Sequence, residues 1–453
     1  MEGIANGTED KLIDGLSFRL KPGASYITDR RFSTFHPSGS NIYSTSGTKL
    51  IRLLITGDQW MDPSTFRIMF DLVNMESDTA KELRPLGGPW TFFRRMRVLC
   101  GGTIVEDIDL YNRCHELFSV LTSSDSRVNV NGEAFGQHFD IRDFQGSVGL
   151  HKDNFPGIIG GQSQTVLFKP LSGLLNQNKM LPVRYCPITI ELELVNDSTE
   201  PIVSYLSGVA SNDFSATNTS LLWQIQNVQA KCDMCTLDNQ LDNSYAEHLL
   251  SGKALPINYN TYVSQLQSLM SGANGQQKVR LNITRSLSRL KSVFLTLDNS
   301  VTSEASFVGR KPWNDFYSPM HLYAGGEHNQ YNQNGEFEMQ LQLGSKLYPE
   351  YPVRSHQEMY YQLRKCLGHQ SSSLHSFDID SHEYRNYKFI MGIDMERVLE
   401  AGFTGMNTRA GDILNIRFDH NDSTATNWAT SMHIVLHSDN IMEIRDAGVQ
   451  VWD

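Results

Sequence analysis

The sequence predicts a mainly β protein that is divided into two similar domains. Apolar and polar residues alternate strictly in several segments, as at 188–195 and 66–72, which is typical of strands with one buried and one solvated face. The length of 453 residues exceeds the roughly 250–300 that a single hydrophobic core usually organises. Each half also places a short amphipathic helix after a group of strands, so the order of elements recurs at about half the chain.

The first half contains a hairpin that can be placed closely. Gly101 and Gly102 interrupt the segment TFFRRMRVLCGGTIVEDI, and both can take the positive φ that a two-residue turn requires. Strands are therefore expected at about 92–100 and 103–108. Apolar residues at helical spacing follow directly, and they predict a helix at 110–121.

The second half has a comparable order of elements. A loop that contains Pro349 and Pro352 is expected before a helix at 355–366, whose start carries the capping box of Ser355 and Glu358. Alternation around these elements predicts strands at 279–284, 337–343, 414–418 and 432–437.

The division between the domains is expected after a strand at about 223–228. A polar segment and a short helix at 244–250 follow this strand and separate the two β regions. The predicted parts are an N-terminal arm (1–21), a first domain (22–236), a linker with a short helix (237–256), and a second domain with the C-terminal segment (257–453).

Two long irregular segments, at about 123–163 and 299–334, interrupt the predicted strands. Loops beyond roughly 12–15 residues are uncommon in compact domains and are usually functional or disordered. Both segments carry aromatic residues, which argue against disorder because they need to be buried, in part by a neighbouring subunit. The candidates for such inter-subunit contacts are Phe135, Phe139, Phe144, Phe155, Trp313, Phe316, Tyr317, Tyr323 and Tyr331.

The charge balance argues against direct nucleic-acid binding. With 39 basic and 50 acidic residues the formal net charge is -11, and a surface of this sign is repelled by phosphate. The densest basic group, Arg94, Arg95 and Arg97, lies inside a predicted strand, where it can pair with Glu191 and Glu193. We therefore expect no specific binding of DNA or RNA.

A secretory signal is not predicted, because the N-terminal residues MEGIANGTEDKL lack a basic start and an apolar core. No apolar stretch of the sequence reaches the roughly 18–20 residues that cross a bilayer. We expect synthesis and folding in the cytosol or nucleus, where the six cysteines would remain thiols.

No catalytic, cofactor or metal site is predicted. Cys232 and Cys235 form a single Cys-x-x-Cys with His248 downstream, but a zinc finger needs a second pair of ligands. Two half-buried thiols at a strand end are the favoured interpretation. Glu191 and Glu193 could form the carboxylate pair of a glycosidase, although the solvated face of a sheet also explains their alternation.

Three segments are similar to those of double jelly-roll major capsid proteins. This lineage includes adenovirus hexons, tailless membrane-containing phages, nucleocytoplasmic large DNA viruses, virophages and Polinton-like viruses. The similar segments are FFRRMRVLCGGTIVEDIDLYNRCHELF, FKPLSGLLNQNKMLPVRYCPITIELELV and LLWQIQNVQAKCDMCTLDNQLDNSYAEHLLSGKALPI. They cover the first half of the chain, and the second half is matched by its order of elements.

The resemblance implies two tandem eight-stranded jelly-roll β-barrels with short helices and long inter-strand loops. It implies a structural protein, not an enzyme, whose homotrimers form pseudo-hexameric capsomers that tile the icosahedral shell of a double-stranded DNA virus. The implied partners are neighbouring capsomers, penton proteins, minor capsid or cement proteins and an inner membrane. The implied location is the virion, with assembly in the host cytoplasm or nucleus.

The alternative is a carbohydrate-active or lectin-like β-sandwich protein. It predicts a concave site lined by aromatic residues with paired carboxylates, and usually a secreted chain. A solution mass of three chains would support the capsomer, whereas a monomer that binds or hydrolyses glycans would support the alternative.

Overall fold

A computed structural model gives the fold of the chain. The predicted contact residues Phe139, Phe144, Phe155, Tyr323 and Tyr331 lie outside the part of the chain that it describes. The described residues are 26–136, 157–203, 218–273, 275–298, 313–314, 316–319, 336–368, 379, 381–386, 388–398, 404–409, 413–421 and 428–453.

The first half of the chain folds into two large antiparallel sheets and a short two-stranded sheet formed by β5 and β8. One sheet has the order β1-β12-β4, with β9 and β10 along the other edge of β4 and β2 beside β12; the second has the order β3-β11-β6-β7. The strands are β1 (Ile27–Phe35), β2 (Ile42–Tyr43), β3 (Leu50–Ile55), β4 (Trp60–Asn74), β5 (Glu82–Leu83), β6 (Phe93–Cys100), β7 (Thr103–Asp109), β8 (Ile158–Ile159), β9 (Ser163–Phe168), β10 (Leu181–Pro182), β11 (Ile188–Leu194) and β12 (Trp223–Leu237).

The second half also folds into two antiparallel sheets. Their orders are β13-β20-β15-β18, with β21 beside β20, and β14-β19-β16-β17. The strands are β13 (Leu255–Ser268), β14 (Gln276–Ile283), β15 (Leu290–Asp298), β16 (Glu336–Leu343), β17 (Lys346–Val353), β18 (Ile390–Asp394), β19 (Leu414–Asn421), β20 (Ser431–Arg445) and β21 (Gly448–Trp452). The α-helices among the described residues are α1 (Tyr111–Val120), α2 (Ser124–Glu133), α3 (Asn239–Leu250), α4 (His356–Cys366) and α5 (Ser381–Asn386).

The two halves have the same strand order. The eight principal strands of the first half are β1, β3, β4, β6, β7, β9, β11 and β12, and those of the second are β13 to β20. In each half the first, eighth, third and sixth of these form one sheet, and the second, seventh, fourth and fifth form the other. This order is that of a jelly roll. The prediction of two tandem eight-stranded jelly rolls is confirmed.

The alternating segments bury the side chains that the sequence assigns to the core. In β4 the buried side chains are Phe66, Ile68, Phe70 and Leu72, while the residues between them are partly exposed. In β16, Phe337, Met339 and Leu341 are buried, and Gln340 between them is buried as well. Each large apolar side chain removed from water contributes roughly 1.5–3 kcal/mol, so this alternation determines which face of each sheet points inward.

The predicted turn and helix signals are confirmed by the backbone. Gly101 and Gly102 have φ of 56° and 86° between β6 and β7, as a tight two-residue turn requires. At the start of α4, the Ser355 hydroxyl accepts a hydrogen bond from the Glu358 amide at 3.1 Å. The Glu358 carboxylate in turn accepts from the amide of Arg354 at 3.3 Å, so two orphan amides at this end are satisfied.

Three details of the predicted elements are wrong. The irregular segment 123–163 begins with α2, because Ser123 accepts a hydrogen bond from the Arg127 amide and starts a helical turn. The predicted proline-bearing loop is strand β17, which tolerates proline because it lies at the edge of its sheet. The linker helix α3 begins at Asn239, before the predicted 244, because the Asp238 side chain caps it by accepting from the Gln240 amide.

The segment between the barrels is short. β12 ends at Leu237, α3 follows, and β13 begins at Leu255. The division into 22–236, 237–256 and 257–453 stays our proposal for the domain boundaries. Among the described residues, no helix is long and apolar enough to cross a membrane.

Candidate functional site

The two barrels contact each other along a seam between β7 and β13. The Tyr259 hydroxyl on β13 donates a hydrogen bond to the carbonyl oxygen of Val105 on β7 at 3.0 Å. Val105 is left unpaired in its own sheet, because the register of β6 and β7 passes from Glu106 to Ile104 and skips it. A β-bulge thus frees a backbone acceptor, and the second barrel satisfies it.

Glu106 is buried at this seam and is only 1% exposed. Its carboxyl accepts hydrogen bonds from the Ser172 hydroxyl and from the Gly173 amide, the latter at 2.9 Å. Burial raises the pKa of Glu106 to about 7, and hydrogen bonds from Ser172, Gly173, Leu174 and Thr261 lower it in part. The seam therefore contains a carboxyl group that titrates near neutral pH.

Gly173 allows the two barrels to approach each other closely. A Cβ atom at this position would lie 1.4 Å from the carbonyl oxygen of Asn260 on β13. Backbone atoms cannot yield by that distance, so only glycine fits here. The loop before β10 is therefore shaped to the first strand of the second barrel.

Aromatic side chains extend the seam. Phe118 on α1 packs against Tyr262 and Phe294 of the second barrel, with ring centroids 4.7 and 5.2 Å apart. Beyond them, the indole nitrogen of Trp313 donates to the Glu200 carbonyl at 2.9 Å, and the Arg113 guanidinium lies 5.9 Å from the centre of the Trp313 ring. The seam is thus packed by apolar contacts as well as by hydrogen bonds.

A row of alternating charges crosses the outer face of the sheet β3-β11-β6-β7. Glu191 on β11 lies opposite Arg52 on β3 and Arg97 on β6. Its oxygens lie 2.6 Å from the Arg52 guanidinium and 3.4 Å from that of Arg97. Asp107 on β7 continues the row and accepts hydrogen bonds from the Nε and Nη2 atoms of Arg95 at 2.7 and 2.6 Å. The expected pairing of this arginine cluster with Glu191 is confirmed.

The second barrel repeats part of this pattern. Arg280 on β14 makes a two-pronged contact with Asp419 on β19, at 2.5 and 2.7 Å. Within the same sheet, Glu338 on β16 lies 3.0 Å from Arg354. In both barrels, therefore, an arginine of the second principal strand binds an acidic residue of the seventh.

The fold is similar to that of several solved viral proteins. VP54 of the virus PBCV-1, in a crystal structure fitted into a reconstruction of the virophage Sputnik, superposes with a TM-score of 0.59 at 11% identity, covering 96% of this chain and 99% of VP54. A chain of the Sputnik virophage itself superposes with a TM-score of 0.57 at 9% identity, covering 98% of this chain and 92% of the Sputnik chain. The Faustovirus major capsid protein superposes with a TM-score of 0.51 at 10% identity, covering 96% of this chain and 93% of the Faustovirus chain.

The chain has the fold of double jelly-roll major capsid proteins. The likeness extends over nearly the whole length of both partners, so it includes both barrels. No protein-family model matches the sequence, and no curated protein matches it either. At about a tenth identity, the double jelly roll is recognised here through its strand order.

Four of the nine residues proposed for inter-subunit contacts lie in the described part of this double jelly roll. Trp313, Phe316 and Tyr317 are buried within the chain, with 5%, 3% and 1% exposure. Phe135 is partly buried and packs against Phe92, with ring centroids 6.4 Å apart. Contact with a neighbouring subunit stays a prediction, and the three buried side chains have little surface left for it.

Cys232 and Cys235 are both fully buried in β12 of the first jelly roll. The prediction of half-buried thiols is therefore wrong in degree: β12 is an interior strand between β1 and β4, and Cys232 belongs to the hydrophobic core. Residues three apart in a strand point to opposite faces, so the two thiols do not converge. His248 lies on α3, where its Nε2 atom is 3.3 Å from the Ala254 carbonyl.

The second jelly roll contains three serine–histidine pairs, two of them buried and one partly buried, that no sequence pattern signals. Ser264 and His433 lie 2.6 Å apart, and Ser292 and His437 lie 3.2 Å apart. Burial lowers the pKa of both histidines to about 3, so their rings are neutral at physiological pH. The third pair is Ser318 with His356, at 3.0 Å. Within the described residues, no group of three His, Cys, Asp or Glu side chains is placed to hold a metal ion.

Proposed function

We propose that the chain is the major capsid protein of an icosahedral double-stranded DNA virus. The observation that carries the proposal is the duplication of one jelly roll within a single chain, joined by a buried seam. Similarity over the whole length to viral chains, one of them a major capsid protein, supports it.

Duplication of the barrel suits a shell that is built from hexagonal units. Three copies of a two-barrel chain provide six similar barrels, so a threefold symmetric homotrimer presents a nearly sixfold outline. An obligate interface in such a trimer is expected to bury more than roughly 2,000 Å². Contacts between capsomers can be weaker, because many of them act together in a closed shell.

The proposed partners follow from this role. They are neighbouring capsomers first, then penton proteins, minor capsid or cement proteins, and an inner membrane. The net charge of -11 supports a capsomer that leaves the packing of DNA to other proteins. We place the protein in the virion, with assembly in the host cytoplasm or nucleus.

We also propose that the chain is not an enzyme. The carboxylate that a glycosidase would need, Glu191, is engaged by the guanidinium groups of Arg52 and Arg97. It is only 7% exposed, which leaves little access for a sugar. These contacts favour a structural role for Glu191 over the carbohydrate-active alternative.

Cryo-electron microscopy of the purified chain tests the proposal. We expect class averages of a threefold block with six lobes seen along its axis. Averages that contain only two-lobed particles, under conditions where glycans bind or are hydrolysed, would contradict it and favour the lectin-like or carbohydrate-active alternative.

A further inference from the structure

An open apolar cavity lies at the end of the first barrel, beside the linker helix. Its volume of about 450 Å³ falls within the range of ligand pockets, roughly 300–1,000 Å³. Trp60 and Tyr245 form one wall, with ring centroids 4.8 Å apart. The other apolar lining residues are Met180, Pro182, Leu237, Leu241, Leu255, Pro256 and Ile257.

The described chain begins at the edge of this cavity. The carbonyl oxygen of Tyr26 accepts a hydrogen bond from the amide of Asp238 at 2.8 Å, and Asp238 caps the helix that carries Leu241 and Tyr245. The next residue, Ile27, pairs with Leu237, which lines the cavity. The preceding 25 residues therefore join the described fold at the cavity wall.

The segment before Tyr26 has the composition that an apolar cavity binds. Leu16, Phe18 and Leu20 alternate with Ser17 and Arg19, so an extended backbone would present three apolar side chains on one face. Residue 18 lies eight positions before Tyr26, and eight extended residues span up to about 26–29 Å. This length is sufficient to reach a cavity beside the point of entry.

We propose that the cavity lined by Trp60, Leu241 and Tyr245 binds the N-terminal segment 12–20 of its own chain. A tethered segment is present at an effective concentration in the millimolar range, which favours it over free competitors. The docked segment covers Trp60 and holds α3 against the first barrel. This inference does not depend on the proposed capsid function.

Disulfide trapping in the full-length chain tests the proposal. The double variant Phe18→Cys/Leu241→Cys is oxidised with a mild catalyst, and the bonds are mapped by mass spectrometry after digestion without reduction. Five of the six native thiols are buried, so background cross-linking is small. We expect the two introduced thiols to form a bond within one chain.

The matched control is Phe18→Cys/Leu250→Cys. Leu250 lies on the same helix but is 75% exposed and does not line the cavity. Equal trapping in the two variants would overturn the proposal. Trapping that occurs only between chains would also overturn it, because the occupant would then be the segment of a second copy.

Limited proteolysis gives an independent readout. Trypsin cleaves after Arg19, which precedes Leu20, but not after Lys21, which precedes Pro22. A docked segment is cleaved only when it opens. The variant Tyr245→Ser is expected to accelerate this cleavage about tenfold, as for a docking equilibrium weakened by about 1.4 kcal/mol. Leu250→Ser should leave the rate unchanged. Identical rates in all three chains would contradict docking, whether or not the chain forms trimers.

Discussion

Tyr259 of the second barrel donates its hydroxyl hydrogen to the carbonyl oxygen of Val105, the residue that a β-bulge leaves unpaired in the first barrel. Val105 has no partner in the register of its own sheet. The irregularity of one barrel is thus matched to a side chain of the other. The two jelly rolls behave as one packed unit because of such contacts.

The variant Tyr259→Phe tests this contact. It removes the hydroxyl donor and leaves the buried carbonyl oxygen of Val105 without this hydrogen bond. The free energy of unfolding should therefore fall by roughly 1–2 kcal/mol. Urea denaturation followed by circular dichroism measures the change. Tyr351→Phe is the control, because Tyr351 is 78% exposed and should have no effect. An equal midpoint for both variants would argue against a stabilising role for the seam contact.

Gly173→Ala should disrupt the seam more severely. The added Cβ would lie 1.4 Å from the Asn260 carbonyl oxygen, so the barrels must separate or the loop must refold. We expect a loss of more than about 4 kcal/mol, seen as a strongly reduced soluble yield. Gly132→Ala is the control, since nothing lies within 4 Å of its Cβ position. Normal yield and melting temperature of Gly173→Ala would disprove the close approach.

Glu106 predicts a pH dependence of stability. Burial raises its pKa from 4.5 to about 7 in the folded chain, so folding favours the protonated form. The contribution of Glu106 to the free energy of unfolding is fully present below about pH 4.5. It declines between pH 4.5 and 7 and is constant at higher pH. The decline amounts to about 3 kcal/mol.

Glu106→Gln removes this titration while keeping the shape of the side chain. The variant should be more stable than the native chain at pH 8, by up to about 3 kcal/mol, and the difference should vanish near pH 4. Urea midpoints across this range measure it, with Glu193→Gln as the control. If the urea midpoints of the native chain and of Glu106→Gln changed in parallel with pH, the raised pKa of Glu106 would be ruled out.

The charge row predicts a coupling between Arg52 and Glu191. A double-mutant cycle with Arg52→Met and Glu191→Gln should give a coupling energy of about 0.5–1 kcal/mol. This coupling energy should decrease as salt is added. The pair Asp29 and Arg31 is the control, because its side chains are 43% and 72% exposed and should couple weakly. Strict additivity at Arg52 and Glu191 would count against the ion pair.

Local signals predicted most of the strands and turns. The period-two alternation of β4 and β16 and the glycine pair after Cys100 depend on neighbours in sequence, so they are visible without a structure. The edge position of β17 is not local, so its prolines predict a loop when only the sequence is considered. The same holds for α2, whose Asn, Gly and Ser residues are weak helix formers.

The seam could not be predicted from the sequence. The bulge at Val105 interrupts the period of two in β7 and leaves Val105 and Glu106 both buried. Their partners on β13 lie about 150 positions later in the chain, so no local pattern reports them. Gly173 likewise resembles an ordinary turn glycine until Asn260 is placed against it.

The central claim is tested most directly by the mass of the purified chain in solution. Light scattering coupled to size exclusion should give three times 51.2 kDa at micromolar concentration, and the value should persist on dilution because an obligate interface is large. A stable monomer of 51.2 kDa at the same concentrations would contradict a trimeric capsomer.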